Sequence, residues 1–324
     1  MNEFAMRAAR TGGPEVIERV PVDLPEPGPG AVRVRHHAVR VNFIDTYFRS
    51  GLYPTPLPTG PGSEAAGVVE AVGPDVNLFA VGDRVAYATG PLGAYSTARD
   101  IAADLLVPLP DAIGFDTAAA AMLKGMTAAM LAGPCAIVER GEHALVHAAA
   151  GGVGSILVQW LARLGVDVIA YAGTEAKAAQ AKAAGASAAL SCSLGELAAK
   201  VRDATGGHGV KVLFDGVGAA SWAASLASVA KRGMLVVFGN TSGPVPPVEP
   251  LALMRARSIF LTRPTLFDYA ATSDDRIKLT SAPSDMIGAG LPVEIGQRFP
   301  LGDAAEAHRR LEARQTVGST ILTV

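Results

Sequence analysis

The sequence predicts an α/β protein of two domains, a β-rich one followed by a doubly wound parallel sheet. Three observations predict it. The chain has 324 residues, about twice what one core of ordinary size needs. Its first hundred residues read as short β-type runs separated by glycine, and from Ala144 to about Pro264 strand-like and helix-like segments alternate. A hydrophobic share of 49% against 18% charged residues excludes a disordered chain. The 28 basic and 30 acidic residues leave a net charge of −2, which gives no electrostatic reason to bind nucleic acid or an anionic membrane.

Taken in order, Pro25 to Gly30 is turn chemistry, and Ala31 to Val41 alternates apolar and polar residues as a half-buried strand does. Ala66 to Val72 and Arg84 to Ala88 are short β-type runs, punctuated by Gly62, Gly67, Gly73, Gly82 and Gly90, which predicts a small barrel or sandwich. The rhythm changes near Lys124. Strands are predicted at Ala144–Ala148, Asp167–Ala172, Lys211–Asp215 and Met234–Gly239, and helices at Ser155–Leu164, Thr174–Ala184, Leu194–Thr205 and Ser221–Lys231. After Pro264 a helix at Ala304–Arg314 and a strand at Ser319–Val324 suggest a tail that returns to the first domain. The predicted domains are therefore 1–124 with 265–324, and 125–264.

Two cysteines, Cys135 and Cys192, suffice for neither a disulfide framework nor a four-thiolate zinc site. Arg7 and Arg10 are followed by no long apolar run, so no secretory signal is expected. The longest stretch free of charged residues, His143 to Ala162, contains two histidines and a glycine cluster, a poor membrane span. A soluble cytoplasmic protein is expected.

His147 to Gly154 (His-Ala-Ala-Ala-Gly-Gly-Val-Gly) lies between a predicted strand and a predicted helix. Glycines there permit a tight turn and close backbone approach, and the helix N-terminus offers free N–H groups to a pyrophosphate. The motif reads as Ala-x-x-Gly-x-x-Gly from Ala148 or as Gly-Gly-x-Gly from Gly151, and predicts a nicotinamide dinucleotide site. An NAD site usually carries an acid about 20 residues on, at the end of the second strand. Here that region is Ile169 to Thr174, with no acid, and Lys177 follows in the next helix. A carboxylate would repel a 2′-phosphate, so NADPH is favoured; the alternative for Lys177 is an ordinary solvated helix lysine.

Zinc alcohol dehydrogenases share this domain order and hold catalytic zinc through Cys and His. The corresponding Val41 to Thr46 has no thiol, and Pro61-Gly62-Ser63-Glu64 has Ser where a ligand His would stand. His36, His37, His143, His147, His208 and His308 show no metal-ligand spacing, so no metal is expected.

The chain resembles the zinc-free quinone oxidoreductases of the medium-chain dehydrogenase/reductase superfamily, close to bacterial NADPH:quinone reductases and zeta-crystallins. The resemblance runs nearly end to end. It is carried by Asn42 to Tyr47, Arg49 to Pro54, Gly62 to Gly67, Gly82 to Val85, Gly93 to Ser96, Lys124 to Thr127, His147 to Gly154, Phe238 to Gly243, Thr262 to Pro264 and Arg314. It implies a GroES-like β-rich catalytic domain and a Rossmann nucleotide domain. It also implies that Asn42 and Tyr47 approach the nicotinamide, with Phe43, Thr46, Thr127 and Met130 near it. Gly152 and Val153 would meet the pyrophosphate. Gly173, Thr174, Lys177 and Cys192 would lie at the phosphorylated ribose, and Val217, Phe238, Gly239, Asn240 and Thr241 along the nicotinamide half. Arg263, Pro264, Thr265, Leu266 and Arg314 would close the cleft. Two positions depart from the family: Cys192 replaces a tyrosine common near the adenine phosphate, and Met130 replaces an aromatic residue.

The implied activity is transfer of hydride, or of single electrons, from NADPH to a quinone. Tyr47 or Asn42 would donate a hydrogen bond to the developing oxyanion. Two alternatives stand beside it: an NADPH-dependent enal or enone reductase built from the same parts, and a non-enzymatic, crystallin-like NADPH-binding protein. The resemblance further implies a homodimer joined through the nucleotide domain, with Ser258 to Thr262 as the pairing edge strand.

Overall fold

The structure, a computed structural model, describes residues 3–288, 290, 292–316 and 318–324, without the side chains of Ala282 and Met286. The chain divides into two compact units, Met1–Leu123 with Ala270–Val324, and Lys124–Tyr269.

The first unit runs through β1 (Phe4–Ala8), β2 (Ile17–Pro21), β3 (Ala31–Val41), α1 (Phe43–Ser50), β4 (Ala65–Val72), β5 (Arg84–Tyr87), β6 (Ala98–Ala102) and β7 (Val107–Pro108). The division then falls inside α2 (Phe115–Met130). The second unit contains β8 (His143–His147), α3 (Gly152–Arg163), β9 (Asp167–Tyr171), α4 (Glu175–Ala183), β10 (Ala188–Leu190), α5 (Leu194–Ala204), β11 (Val210–Asp215) and α6 (Trp222–Ser228). It ends with β12 (Val229–Val237), α7 (Pro250–Arg255), β13 (Phe260–Thr262) and α8 (Leu266–Tyr269). The chain then returns to the first unit with α9 (Ser273–Gly288), β14 (Ile295–Pro300), α10 (Ala304–Glu312) and β15 (Ser319–Thr323).

In the first unit β1 and β2 pair antiparallel, and seven strands form a second sheet in the order β14-β15-β3-β4-β5-β7, with β6 also on β3. Because β3 pairs with β4, β6 and β15, it is buried far beyond the half-buried strand its alternation predicts. Val32, Val34, Val39 and Val41 are in the core, but so are Arg33, His36 and Arg40. Each of these three side chains has a partner, Arg40 in the Thr320 carbonyl and Asn42 Oδ1. Arg33 Nε donates to Asp100 Oδ1 at 2.8 Å, and His36 Nδ1 donates to the Ser96 carbonyl while Nε2 accepts from Tyr87 O–H at 2.9 Å. Burial lowers His36 to a pKa of about 4, so it is a neutral structural residue.

The second unit is a six-stranded parallel sheet in the order β10-β9-β8-β11-β12-β13. The order reverses between β8 and β11, and in open α/β sheets that switch point is where ligands bind. Two local features depart from the sequence reading. The helix predicted over Ser221–Lys231 ends at Ser228, because Val229 pairs with Val210 and begins β12. Phe43–Ser50, read as no particular element, is a helix, and Asn42 at its start is the N-cap rather than only a polar residue beside a strand.

Candidate active site

The sequence-predicted residues fall into two sets, one in each unit. In the second unit β8 leads through Ala148, with φ of 49°, into the glycine turn and α3. Gly151, the N-cap, has no side chain to offer, and the first turn of α3 has no acid. Its N–H groups are therefore left for an external acceptor. A Cβ on Gly154 would overlap the Ala148 carbonyl oxygen and lie 3.0 Å from Ala149 Cα, so glycine there permits close strand–helix packing. Gly152 and Val153 are partly exposed in the same turn. These features fit a dinucleotide pyrophosphate.

Across the switch point stands Asp215, the last residue of β11, fully buried. Its Oδ1 accepts from the backbone N–H of Val217 at 2.7 Å and of Gly218 at 3.2 Å. Ser221 Oγ lies 2.7 Å and Ser225 Oγ 2.6 Å from Oδ2. Ser225 has one proton and gives it to Asp215, so His147 Nε2, 3.1 Å from Ser225 Oγ, carries a hydrogen and donates it. Burial lowers the pKa of His147, which fits this neutral tautomer. Its Nδ1, bare and buried, has no partner among the described residues. The His147–Ser225–Asp215 chain thus ties β8 to the Val217 loop. Sequence reasoning missed Asp215, Ser221 and Ser225; an acid at a strand end followed by Gly216-Val217-Gly218 was the available signal.

The loop after β12 closes on the same backbone. Thr241 Oγ1 donates to the Gly216 carbonyl at 3.3 Å, and a Cβ on Gly216 would come within 2.9 Å of the Phe238 ring. Gly239 packs so closely on Gly216 that its Cβ would overlap the Gly216 carbonyl oxygen. Val217, Phe238, Gly239, Asn240 and Thr241 are therefore gathered at the C-terminal ends of β11 and β12. At the end of β9, Gly173 is open on the side a Cβ would occupy, and Thr174 N-caps α4 by accepting from Lys177 N–H. Lys177 itself is exposed, and no acid stands at the strand end. Cys192 is partly buried against the apolar core, and the Tyr171 hydroxyl donates to its carbonyl at 2.8 Å.

Thr127 is partly buried on α2, whereas Met130 is fully buried. Arg263 is exposed and donates to the Pro264 carbonyl, Thr265 is exposed, and Pro264 and Leu266 are buried.

In the first unit α1 carries Asn42, Phe43, Thr46 and Tyr47. Asp45 returns the capping-box bond, its Oδ2 accepting from Asn42 N–H at 2.8 Å. The Asn42 side chain donates to Glu64 Oε2 at 2.8 Å, and Glu64 Oε1 accepts from the Leu123 N–H. Arg40 Nε reaches Asn42 Oδ1 at 3.4 Å. Thr46 Oγ1 donates to the Phe43 carbonyl, and the Tyr47 ring packs at 5.6 Å from Phe43 and 5.1 Å from Tyr53. Arg314 is exposed in a left-handed turn after α10.

A polar chain supports α1 from behind. Arg49 pairs with Glu312 at 2.7 Å, and its NH1 faces His308 Nδ1 at 3.3 Å. A guanidinium only donates, so Nδ1 accepts and Nε2 carries the hydrogen, which it gives to the Tyr95 hydroxyl at 3.0 Å. Tyr95 then donates to Asp45 Oδ2 at 3.0 Å. Desolvation dominates at both ends: it pushes Asp45 up to about 7 and His308 down to about 3, with the Arg49 charge lowering His308 further. Asp45 Oδ1 and Ser63 Oγ, both buried, have no partner among the described residues. Among those residues, no three His, Cys, Asp or Glu cluster to hold a metal.

Two family models match the chain. Residues 28–111 match the alcohol dehydrogenase GroES-like domain, and residues 152–281 the zinc-binding dehydrogenase family. A quinone oxidoreductase of Pseudomonas aeruginosa is 49% identical over 97% of this chain and 97% of its own. A 2-haloacrylate reductase from a Burkholderia species is 40% identical over 97% of this chain and 96% of its own. The solved quinone oxidoreductase of Escherichia coli, complexed with NADPH, superimposes with a TM-score of 0.94 at 41% identity, covering 99% of this chain and 100% of that one. On this near full-length likeness of sequence and fold, the chain belongs to the quinone oxidoreductase family of the medium-chain dehydrogenases/reductases.

Proposed function

We propose that this protein is an NADPH:quinone oxidoreductase that passes hydride, or single electrons, from NADPH to a quinone without a metal. The observation that carries the reading is the near full-length likeness to quinone oxidoreductases. The cofactor choice is supported by a β9 end with no carboxylate to repel a 2′-phosphate and by Lys177 one turn beyond it. The metal-free reading is supported by donor chemistry: the Asn42 amide and Ser63 hydroxyl are poor zinc ligands beside the thiolate and imidazole of zinc enzymes.

NADPH supplies the reducing equivalents when bound. The chain's own part is binding and orientation. Residues 125–264 act as the dinucleotide domain: Gly152 and Val153 receive the pyrophosphate, and Gly173, Thr174, Lys177 and Cys192 the phosphorylated ribose. Val217 and Phe238 to Thr241 line the nicotinamide half, with Thr127 and Met130 behind it and Arg263 to Leu266 at its edge. Residues 1–124 and 265–324 act as the catalytic domain. There Asn42 and Tyr47 hydrogen-bond the acceptor oxygen as charge develops, beside Phe43 and Thr46, and Arg314 borders the cofactor. The Glu64 and Asp45 bonds that hold Asn42 serve to keep these donors in place. A cytoplasmic homodimer completes the reading. It is supported by the edge position of β13 and by exposed apolar Leu251, Met254 and Phe260 in or near it.

The test is oxidation of NADPH and NADH, followed by absorbance, with 1,4-benzoquinone, 9,10-phenanthrenequinone and a simple enal. Quinone-dependent oxidation with NADPH preferred is expected. Oxidation with the enal alone would replace this reading with C=C reduction, the reaction class toward which the haloacrylate-reductase relative points. Tight NADPH binding with no turnover would replace it with a non-enzymatic role. Tyr47→Phe should lower turnover more than it weakens NADPH binding; unchanged turnover would remove the donor role from Tyr47.

A further inference from the structure

We infer that Ser225, itself fully buried, is a positioning residue for the dinucleotide: through Asp215 it sets the backbone at Val217 and with it the affinity for the nicotinamide half. The inference rests on the NADPH reading above, and on its placement of Val217 along that half. It adds a side chain that acts on the cofactor only through others.

The geometry begins with two adjacent strands. β8 and β11 pair in parallel with Val146 beside Phe214. His147 and Asp215 are the next residues along, so strand alternation turns both side chains to one face of the sheet. On that face α6 brings Ser221, its N-cap, and Ser225, four residues on and so one helical turn away. Ser225 Oγ stands between the strands, 2.6 Å from Asp215 Oδ2 and 3.1 Å from His147 Nε2. All four residues are buried.

What the Asp215 carboxyl group holds is backbone. Its Oδ1 accepts from Val217 N–H and Gly218 N–H, while the Val217 carbonyl accepts from Ser242 N–H and Ser242 Oγ, both at 2.8 Å. From 212 to 218 every residue except Val217 is buried, so Val217 is the part of this turn left to meet a ligand. A carboxyl group turns easily about its Cβ–Cγ bond unless both oxygens are engaged. Ser221 and Ser225 engage Oδ2. His147 fixes Ser225 in turn, because its Nε2–H donates to Ser225 Oγ and directs the hydroxyl proton to Asp215. The position of the Val217 N–H is thus set by a chain that starts on β8.

Equilibrium binding separates this role from a merely structural one. Titration calorimetry would compare NADPH with 2′-phospho-ADP-ribose, which keeps the adenosine half and the pyrophosphate but lacks the nicotinamide. Ser225→Ala should weaken NADPH about fivefold and leave 2′-phospho-ADP-ribose within about twofold. His147→Leu should do the same, and His147→Gln, which keeps an N–H donor, should restore most of the loss. Ser225→Ala combined with His147→Leu should lose no more than Ser225→Ala alone, since both act on one carboxyl oxygen. Should Ser225→Ala fail to fold, the two His147 variants carry the same expectation. Unchanged NADPH affinity in the variants, with normal wild-type binding, would overturn this assignment alone. Equal weakening of the two ligands would also overturn it, as the mark of a disturbed domain. Val217→Ala tests the placement separately: NADPH affinity unchanged there would overturn that placement and this assignment with it. A wild-type protein that binds neither ligand would overturn the cofactor reading as well.

Discussion

Asp45 ties acidity, stability and helix capping together in one buried group. Its carboxyl titrates near 3.8 when unfolded and near 7 in the folded protein, chiefly because burial disfavours the charge. The bonds from Asn42 N–H and Tyr95 O–H and the Arg40 charge oppose that rise without cancelling it. Between pH 4 and pH 7, then, the folded state holds a proton that the unfolded chain has released. The sign is opposite to that of an exposed, ion-paired aspartate: stability is fully present below about pH 4 and falls as pH rises through about 7. A separation of about 3 pH units at about 1.4 kcal/mol each sets the loss at about 4 kcal/mol. Asp45→Asn keeps an acceptor oxygen for Asn42 and Tyr95 but cannot ionise. It should match the wild type near pH 4 and exceed it increasingly as pH rises, by up to about 4 kcal/mol at pH 9. Both tryptophans, Trp160 and Trp222, lie in the other unit, so fluorescence reports the wrong transition. Urea-dependent hydrogen exchange of peptides from β3 and β4, read at several pH values, measures the relevant one. A stability difference that does not change with pH would show that Asp45 stays ionised throughout and would refute the reasoning.

Asp215→Ala removes the acceptor shared by two backbone N–H groups and two buried serines, and should destabilise the nucleotide-binding unit by about 3 kcal/mol or more. Tryptophan fluorescence in urea follows that unit directly. Gly154→Ala forces a Cβ into the Ala148 backbone and should lower its melting temperature, whereas Gly152→Ala meets only the mobile end of Lys124 and should fold normally while binding NADPH less well. On the proposed homodimer, Phe260→Glu places a charge on the β13 edge and should leave a monomer by sedimentation; an unchanged sedimentation coefficient would remove that edge from the interface.

How much of this was legible beforehand follows from how far apart the cooperating residues lie. The strand–glycine–helix run at His147 to Gly154, the βα alternation and the missing acid after β9 are local, and the sequence carries them openly. So are the lack of a thiol in Val41 to Thr46 and the presence of Ser63 where a ligand His would stand. The capping box that makes α1 a helix was also present, as Asn42 and Asp45 three residues apart, but β-type residues on either side obscured it. The alternation in β3 predicts a half-buried strand; the strand forms but is more deeply buried, because only the neighbours β4, β6 and β15 decide which faces are covered.

The remaining features belong to tertiary structure alone. His147 meets Ser225 across 78 residues, Tyr95 meets His308 across 213, and Arg49 meets Glu312 across 263. Lys124 likewise crosses to Gly152 from another helix. Periodicity records which face of an element is apolar, and a motif records a local backbone shape. Neither records which distant element supplies a charge or a hydrogen-bond partner, since packing chooses that partner and desolvation determines its protonation.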